Sequence, residues 1–84
     1  MTGLLHARLY TRPGCHLCED ALGELRRLHA RQPHELELVD ISADDELQQR
    51  YGERIPVLEI DGREYAAPLP RAVLERALRE ASMR

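Results

Sequence analysis

The chain has 84 residues, 43% of them hydrophobic and 32% charged, a size that supports one modest core over residues 1–84 and no second domain. Twelve basic residues, every one Arg, against fifteen acidic ones give a formal net charge of −3, and because the Arg are scattered along the chain, nucleic acid is not an expected partner. No apolar run reaches spanning length, and Met1-Thr2-Gly3-Leu4-Leu5-His6 has no charged start followed by a long apolar stretch, so a membrane is not expected either and the cytoplasm is the expected compartment.

With no Phe or Trp and only three Tyr, the core must be largely aliphatic. The first element is a short strand, Ala7 to Thr11, apolar in its middle and punctuated by Pro13-Gly14. A helix follows, with Ala21, Leu22, Leu25 and Leu28 at spacings of three and four, Glu19 and Asp20 in its first turn, and Arg26, Arg27 and Arg31 toward its end. Pro33 is its expected stop. Leu36, Leu38 and Val39, flanked by Glu35 and Glu37, form a second strand. The stretch SADDELQQRYG then offers Ser42 or Asp44 as an N-cap, Leu47 and Tyr51 on one face, and Gly52 as a stop, which together predict a helix of two or three turns. IPVLEIDGREYAA reads as two strands joined by Asp61-Gly62, the preferred dipeptide of a type I′ hairpin, with Pro56 confined to a strand start or edge. A last helix carries Val73, Leu74, Ala77, Leu78 and Ala81 on one face, with Pro70 at its first position.

The order strand, helix, strand, helix, strand, strand, helix predicts an α/β fold. Its first three elements give a parallel pair through a right-handed crossover and the hairpin adds an antiparallel pair, making a mixed four-stranded sheet with helices expected on both faces. Tyr10, Tyr51 and Tyr65 read as core or edge residues, and Asp40, Asp44 and Asp45 as turn and cap residues.

On this scaffold LYTRPGCHLCEDA carries the chemistry. Two cysteines in a cytosolic chain argue against a structural disulfide, since such thiols are kept reduced, and the short loop they would close constrains little. Cys15 falls at the N-terminal edge of the first helix, where unpaired backbone N–H groups and the positive end of the dipole favour thiolate. Cys18 falls three residues on, on the same helical face, near enough to close a disulfide. Cys15, taken as exposed, is then the attacking sulfur and Cys18, more buried, the resolving one. His16 could lower the Cys15 pKa further, or be a tolerated surface residue. Arg12 suits thiolate stabilisation or capture of a substrate carboxylate, and Leu17 an apolar contact with a protein substrate, against bland readings as a solvated charge and an exposed leucine.

LYTRPGCHLC before a helix, then RIPVLEIDG and a terminal helix, resembles the glutaredoxin branch of the thioredoxin-fold superfamily over almost the whole chain. Tyr10-Thr11-Arg12 matches the family's Tyr-Thr-Lys-like stretch, and Ile55-Pro56 occupies the place of its cis-proline. The resemblance implies a thioredoxin fold and thiol–disulfide oxidoreductase activity. It also implies that Ile55 and Pro56 form the second wall of the site, offering the backbone groups of Ile55 to a substrate strand. Departures are Ala66-Ala67 where glutathione-using members place two glycines, no acid before Arg71, and Leu17 in place of the usual aromatic. The implied partners are a disulfide-containing protein or small-thiol substrate and a reductant, glutathione or thioredoxin reductase; no bound cofactor is expected, and a monomer is. The rival class is a binding module on the same surface without turnover, or a docking protein for a metal or iron–sulfur cluster. Zinc would need two ligands beyond the cysteines, and His29 and His34 stand about three helical turns away from them.

Overall fold

The structure is a computed structural model that describes residues 4–83; the reading of the first residues falls partly on 1–3, outside that range, as does Arg84. The chain runs β1 (Leu5–Thr11), α1 (His16–Leu28), β2 (His34–Asp40), a 3-10 turn (Ile41–Ala43), α2 (Asp45–Tyr51), β3 (Val57–Ile60), β4 (Arg63–Ala66) and α3 (Arg71–Ser82). The sheet order is β2-β1-β3-β4, with β1 parallel to β2 and antiparallel to β3, and β3 antiparallel to β4. This is the mixed α/β arrangement expected from the order of elements.

The hairpin forms as its dipeptide requires: Asp61 has φ 59° and Gly62 φ 80°, both positive as a type I′ turn demands. Elsewhere element ends moved. α1 ends at Leu28, well short of Pro33. The N–H groups of Arg31 and Gln32 close back on the Leu28 carbonyl at 3.0 and 2.9 Å, so Arg31 lies beyond the helix and Pro33 only precedes β2. Of the two offered caps it is Asp44 that starts α2, its carboxylate accepting the Leu47 N–H at 3.1 Å. Pro70 is the N-cap of α3, one place before the first helical residue. Ile55-Pro56 is cis, and so is Ala67-Pro68, which the sequence reading did not single out.

Alternation along the strands divides the sheet into two unlike faces. Ala7, Leu9, Leu58 and Ile60 pack with Ala21, Leu25 and Leu28 of α1 and Leu74, Ala77, Leu78 and Ala81 of α3 in one aliphatic cluster. The opposite face carries α2, so helices lie on both sides as expected, but there the cover is partial. Only its end nearest the cysteines is covered, where Tyr10 and Val57 meet Ile41 and Tyr51. The rest is a charged ladder: Glu37, Arg8, Glu59 and Glu64 are successive cross-strand neighbours over all four strands. Arg8 donates to Glu37 at 3.1 Å and to Glu59 at 3.2 Å. A seven-residue α2 is too short to roof the sheet, and paired charges make a roof unnecessary.

Candidate active site

The cysteine pair stands where β1 hands over to α1. Gly14, with φ 78°, turns the chain in a left-handed conformation that suits glycine. Cys15 is the N-cap of α1, extended at φ −94° and ψ 105°. Its Sγ accepts the N–H of Cys18 at 3.2 Å and its carbonyl accepts that of Glu19 at 3.0 Å. A sulfur in the N-cap position faces the amide ends of the first turn, which is the environment that favours a thiolate once the pair is reduced. The two sulfurs are joined as a disulfide, with Cα atoms 5.2 Å apart.

The asymmetry between the cysteines is present but milder than expected. Cys18 is 3% exposed, inside the cluster of Tyr10, Ile41, Tyr51, Ile55 and Val57. Cys15 is half-buried and packs against that same cluster, a correction to the expectation of an exposed thiol.

The remaining expected site residues separate into two groups. Arg12, His16 and Leu17 are exposed, Leu17 at 60%, and flank Cys15 in the chain. Ile55 and Pro56 are buried. Ile55 lies in the cysteine cluster, so its side chain faces the protein interior and not the surface. The Ile55 N–H already donates to the Tyr51 carbonyl at 3.0 Å, so of the two backbone groups expected to meet a substrate strand, the amide has a partner inside the protein.

Beside this surface is a cleft of about 360 Å³ lined by Arg12, Ile41, Ser42, Gln48, Gly52 and Glu53. Arg12 makes no ion pair among the described residues, which leaves its guanidinium available to an anionic group entering the cleft. The floor is set by the 3-10 turn. Asp40 accepts the Ser42 hydroxyl at 2.7 Å and the Ser42 N–H at 2.8 Å, two bonds that hold its carboxyl below the usual aspartate range. Gln48 Nε2 donates to the Ser42 carbonyl at 2.7 Å. Sequence reasoning missed this cleft, since Arg12 and the Ile41–Glu53 stretch meet only in the folded chain. Among the described residues, no group of three or more His, Cys, Asp or Glu side chains converges as a metal site would require, and no helix is long and apolar enough to cross a membrane.

Comparison with known proteins agrees with this architecture. No curated protein matches the chain. Two solved structures are similar over nearly their full length: the Northeast Structural Genomics target XcR50 from X. campestris, 37% identical with a TM-score of 0.78 over 89% of this chain and 97% of its own, and protein Ne2328 from Nitrosomonas europaea, 30% identical with a TM-score of 0.77 over 92% and 94%. A thioredoxin from Fasciola hepatica, 20% identical with a TM-score of 0.65 over 95% of this chain and 83% of its own, shares the fold. The model of the glutaredoxin-like domain family (DUF836) matches residues 6–82. A thioredoxin-type sheet, a cysteine pair at the head of α1 and this match over nearly the whole chain lead to one assignment: the protein belongs to the glutaredoxin-like domain family.

Proposed function

We propose that the protein is a thiol–disulfide oxidoreductase in which Cys15 attacks and Cys18 resolves. The observation that carries this reading is the placement of Cys15 Sγ as the N-cap of α1, bonded to the Cys18 N–H and to Cys18 itself. In the reduced protein, the Cys15 thiolate attacks one sulfur of a substrate disulfide, and the other leaves as a thiolate that takes a proton from water. The Cys18 thiolate then attacks Cys15 Sγ, releasing the second substrate thiol and leaving the Cys15–Cys18 disulfide. Two electrons pass from the pair to the substrate, and a reductant, two glutathione molecules or thioredoxin reductase, restores the dithiol. Arg12 would draw in a substrate carboxylate and Leu17 would meet an apolar side chain beside the scissile disulfide. His16, one residue from Cys15, would favour its thiolate when protonated. In this reading the protein works as a cytoplasmic monomer with no bound cofactor.

The test is the reduction of a labelled peptide disulfide with dithiothreitol as electron source. Cys15→Ser is expected to abolish turnover. Cys18→Ser is expected to accumulate a mixed disulfide at Cys15 that mass spectrometry detects. Turnover that survives Cys15→Ser would overturn the reading.

A further inference from the structure

Tyr51 is the last residue of α2 and is 2% exposed. Its ring stacks on Tyr10 with centroids 4.1 Å apart and planes at 23°, and the guanidinium carbons of Arg50 and Arg54 stand 5.4 and 5.6 Å from its centre. Its hydroxyl donates to Glu64 Oε2 at 2.5 Å, while the other oxygen of Glu64 accepts from Arg54 at 3.4 Å. Its carbonyl accepts the N–H of Arg54 at 2.8 Å and of Ile55 at 3.0 Å. One residue thus joins β4, through its side chain, to the segment that enters Pro56, through its main chain. A second tie runs the same way, the Ala67 N–H donating to the Arg54 carbonyl at 3.3 Å.

A tyrosine that only filled this space would be served as well by phenylalanine, since stacking and packing use the ring alone. The hydroxyl adds a charge-assisted bond to a carboxylate, which is stronger and more directional than packing. Burial, followed by the Glu64 bond, raises the Tyr51 pKa above its ordinary value, so the phenol stays a donor throughout the working pH range.

We propose that Tyr51, oriented by Glu64, is a positioning residue that fixes the Ile55–Pro56 wall against the cysteine pair. The inference rests on the reading of that pair as a thiol–disulfide centre. Loosening the Tyr51–Glu64 bond lets the end of α2 shift, and the Ile55 amide, held by the Tyr51 carbonyl, shifts with it. Substrate docking then suffers while the N-cap environment of Cys15, built by α1, does not change.

The experiment compares Tyr51→Phe, Glu64→Ala and Glu64→Gln in the full chain by two measurements. Amide hydrogen exchange reads the wall directly: Tyr51→Phe and Glu64→Ala are expected to speed exchange at Arg54 and Ile55 about fivefold relative to the β3 amides, the factor that corresponds to one lost hydrogen bond. Glu64→Gln, whose side-chain carbonyl still accepts from the phenol but without the charge, is expected to fall between the parent and Glu64→Ala. Steady-state reduction of the peptide disulfide is expected to show KM raised about fivefold with kcat and the Cys15 thiolate titration unmoved. Exchange at Ile55 that rises only in step with β3 would overturn the inference, as would Glu64→Gln matching Glu64→Ala. A parent protein without turnover would remove the oxidoreductase reading alone, and the exchange data would still decide the positioning role.

Discussion

At the residue scale, the chemistry of the site depends on which polar groups are given a fixed partner. Cys15 is fixed by the Cys18 N–H, Asp40 by Ser42, Tyr51 by Glu64, whereas Arg12 is left without an ion-pair partner among the described residues. The Asp40 bonds carry a pH consequence. Its folded pKa lies below that of the unfolded chain, so the stabilisation is complete above the unfolded value of about 3.9 and is lost as pH falls through the lower folded value. Asp40→Asn is therefore expected to flatten the acid limb of the stability curve below about pH 4, read as the urea midpoint against pH. An unchanged acid limb would show that the Ser42 bonds do not discriminate the charged carboxylate from the amide. The cysteine pair and its place at the head of α1 were legible because a helix start and a three-residue spacing are local facts. The Tyr51–Glu64 bond was not read from the sequence, though part of it was within reach: a two-residue turn at Asp61-Gly62 puts Glu59 opposite Glu64. Two acids facing each other across strands require donors on the same face. Arg8 and Tyr10 serve the first, Tyr51 and Arg54 the second.

At the element scale, glycines separate what the backbone demands from what packing permits. Gly62 has φ 80° with no heavy atom within 4 Å of a hypothetical Cβ, so the cost of a side chain there is conformational alone. Gly62→Ala is expected to lower stability by about 1–2 kcal/mol in urea unfolding. Gly23 lies inside α1, where a Cβ would find only the flexible Arg27 Nη1 at 3.9 Å. There the same change is expected to raise stability by about 0.5–1 kcal/mol, because the unfolded chain loses freedom the helix does not use. Substitutions with the same sign would contradict the assignment of either conformation. Element identities were readable for related reasons: period-two and period-three-to-four patterns survive in a single sequence, as does the turn dipeptide. Element ends were less so, because α1 stops where the N–H groups of Arg31 and Gln32 turn back on the Leu28 carbonyl, a local backbone closure ahead of Pro33 that no residue type marks.

At the scale of the whole molecule, two clusters share one sheet, and the division assigns them different work. The cluster of α1, α3 and the sheet is aliphatic, while the one around Cys18 is built on the Tyr10–Tyr51 stack and carries the site. The covering of only one full face follows from chain length: with α1 and α3 spent on one side, the seven residues of α2 reach just the end where Cys18, Ile41 and Ile55 must be kept from water. Such a molecule has little stability in reserve. An 84-residue domain is held by a net free energy on the order of 5–15 kcal/mol or less, so one large core deletion removes a sizeable share of it. Leu58 is the informative position. It is fully buried in the aliphatic cluster at the centre of β3, paired with Leu9 and Tyr65, and one residue from Val57 of the site cluster. Leu58→Ala is expected to cost about 2–5 kcal/mol in urea unfolding, through lost burial and the cavity left behind. At temperatures where the variant remains folded, the order of reactivity of Cys15 and Cys18 toward iodoacetamide in the reduced protein should be unchanged, because Cys15 is placed by the cap of α1 and not by β3. A reversal of that order would mean that the aliphatic core, through Val57, sets the asymmetry of the cysteine pair, and that the two clusters act as one.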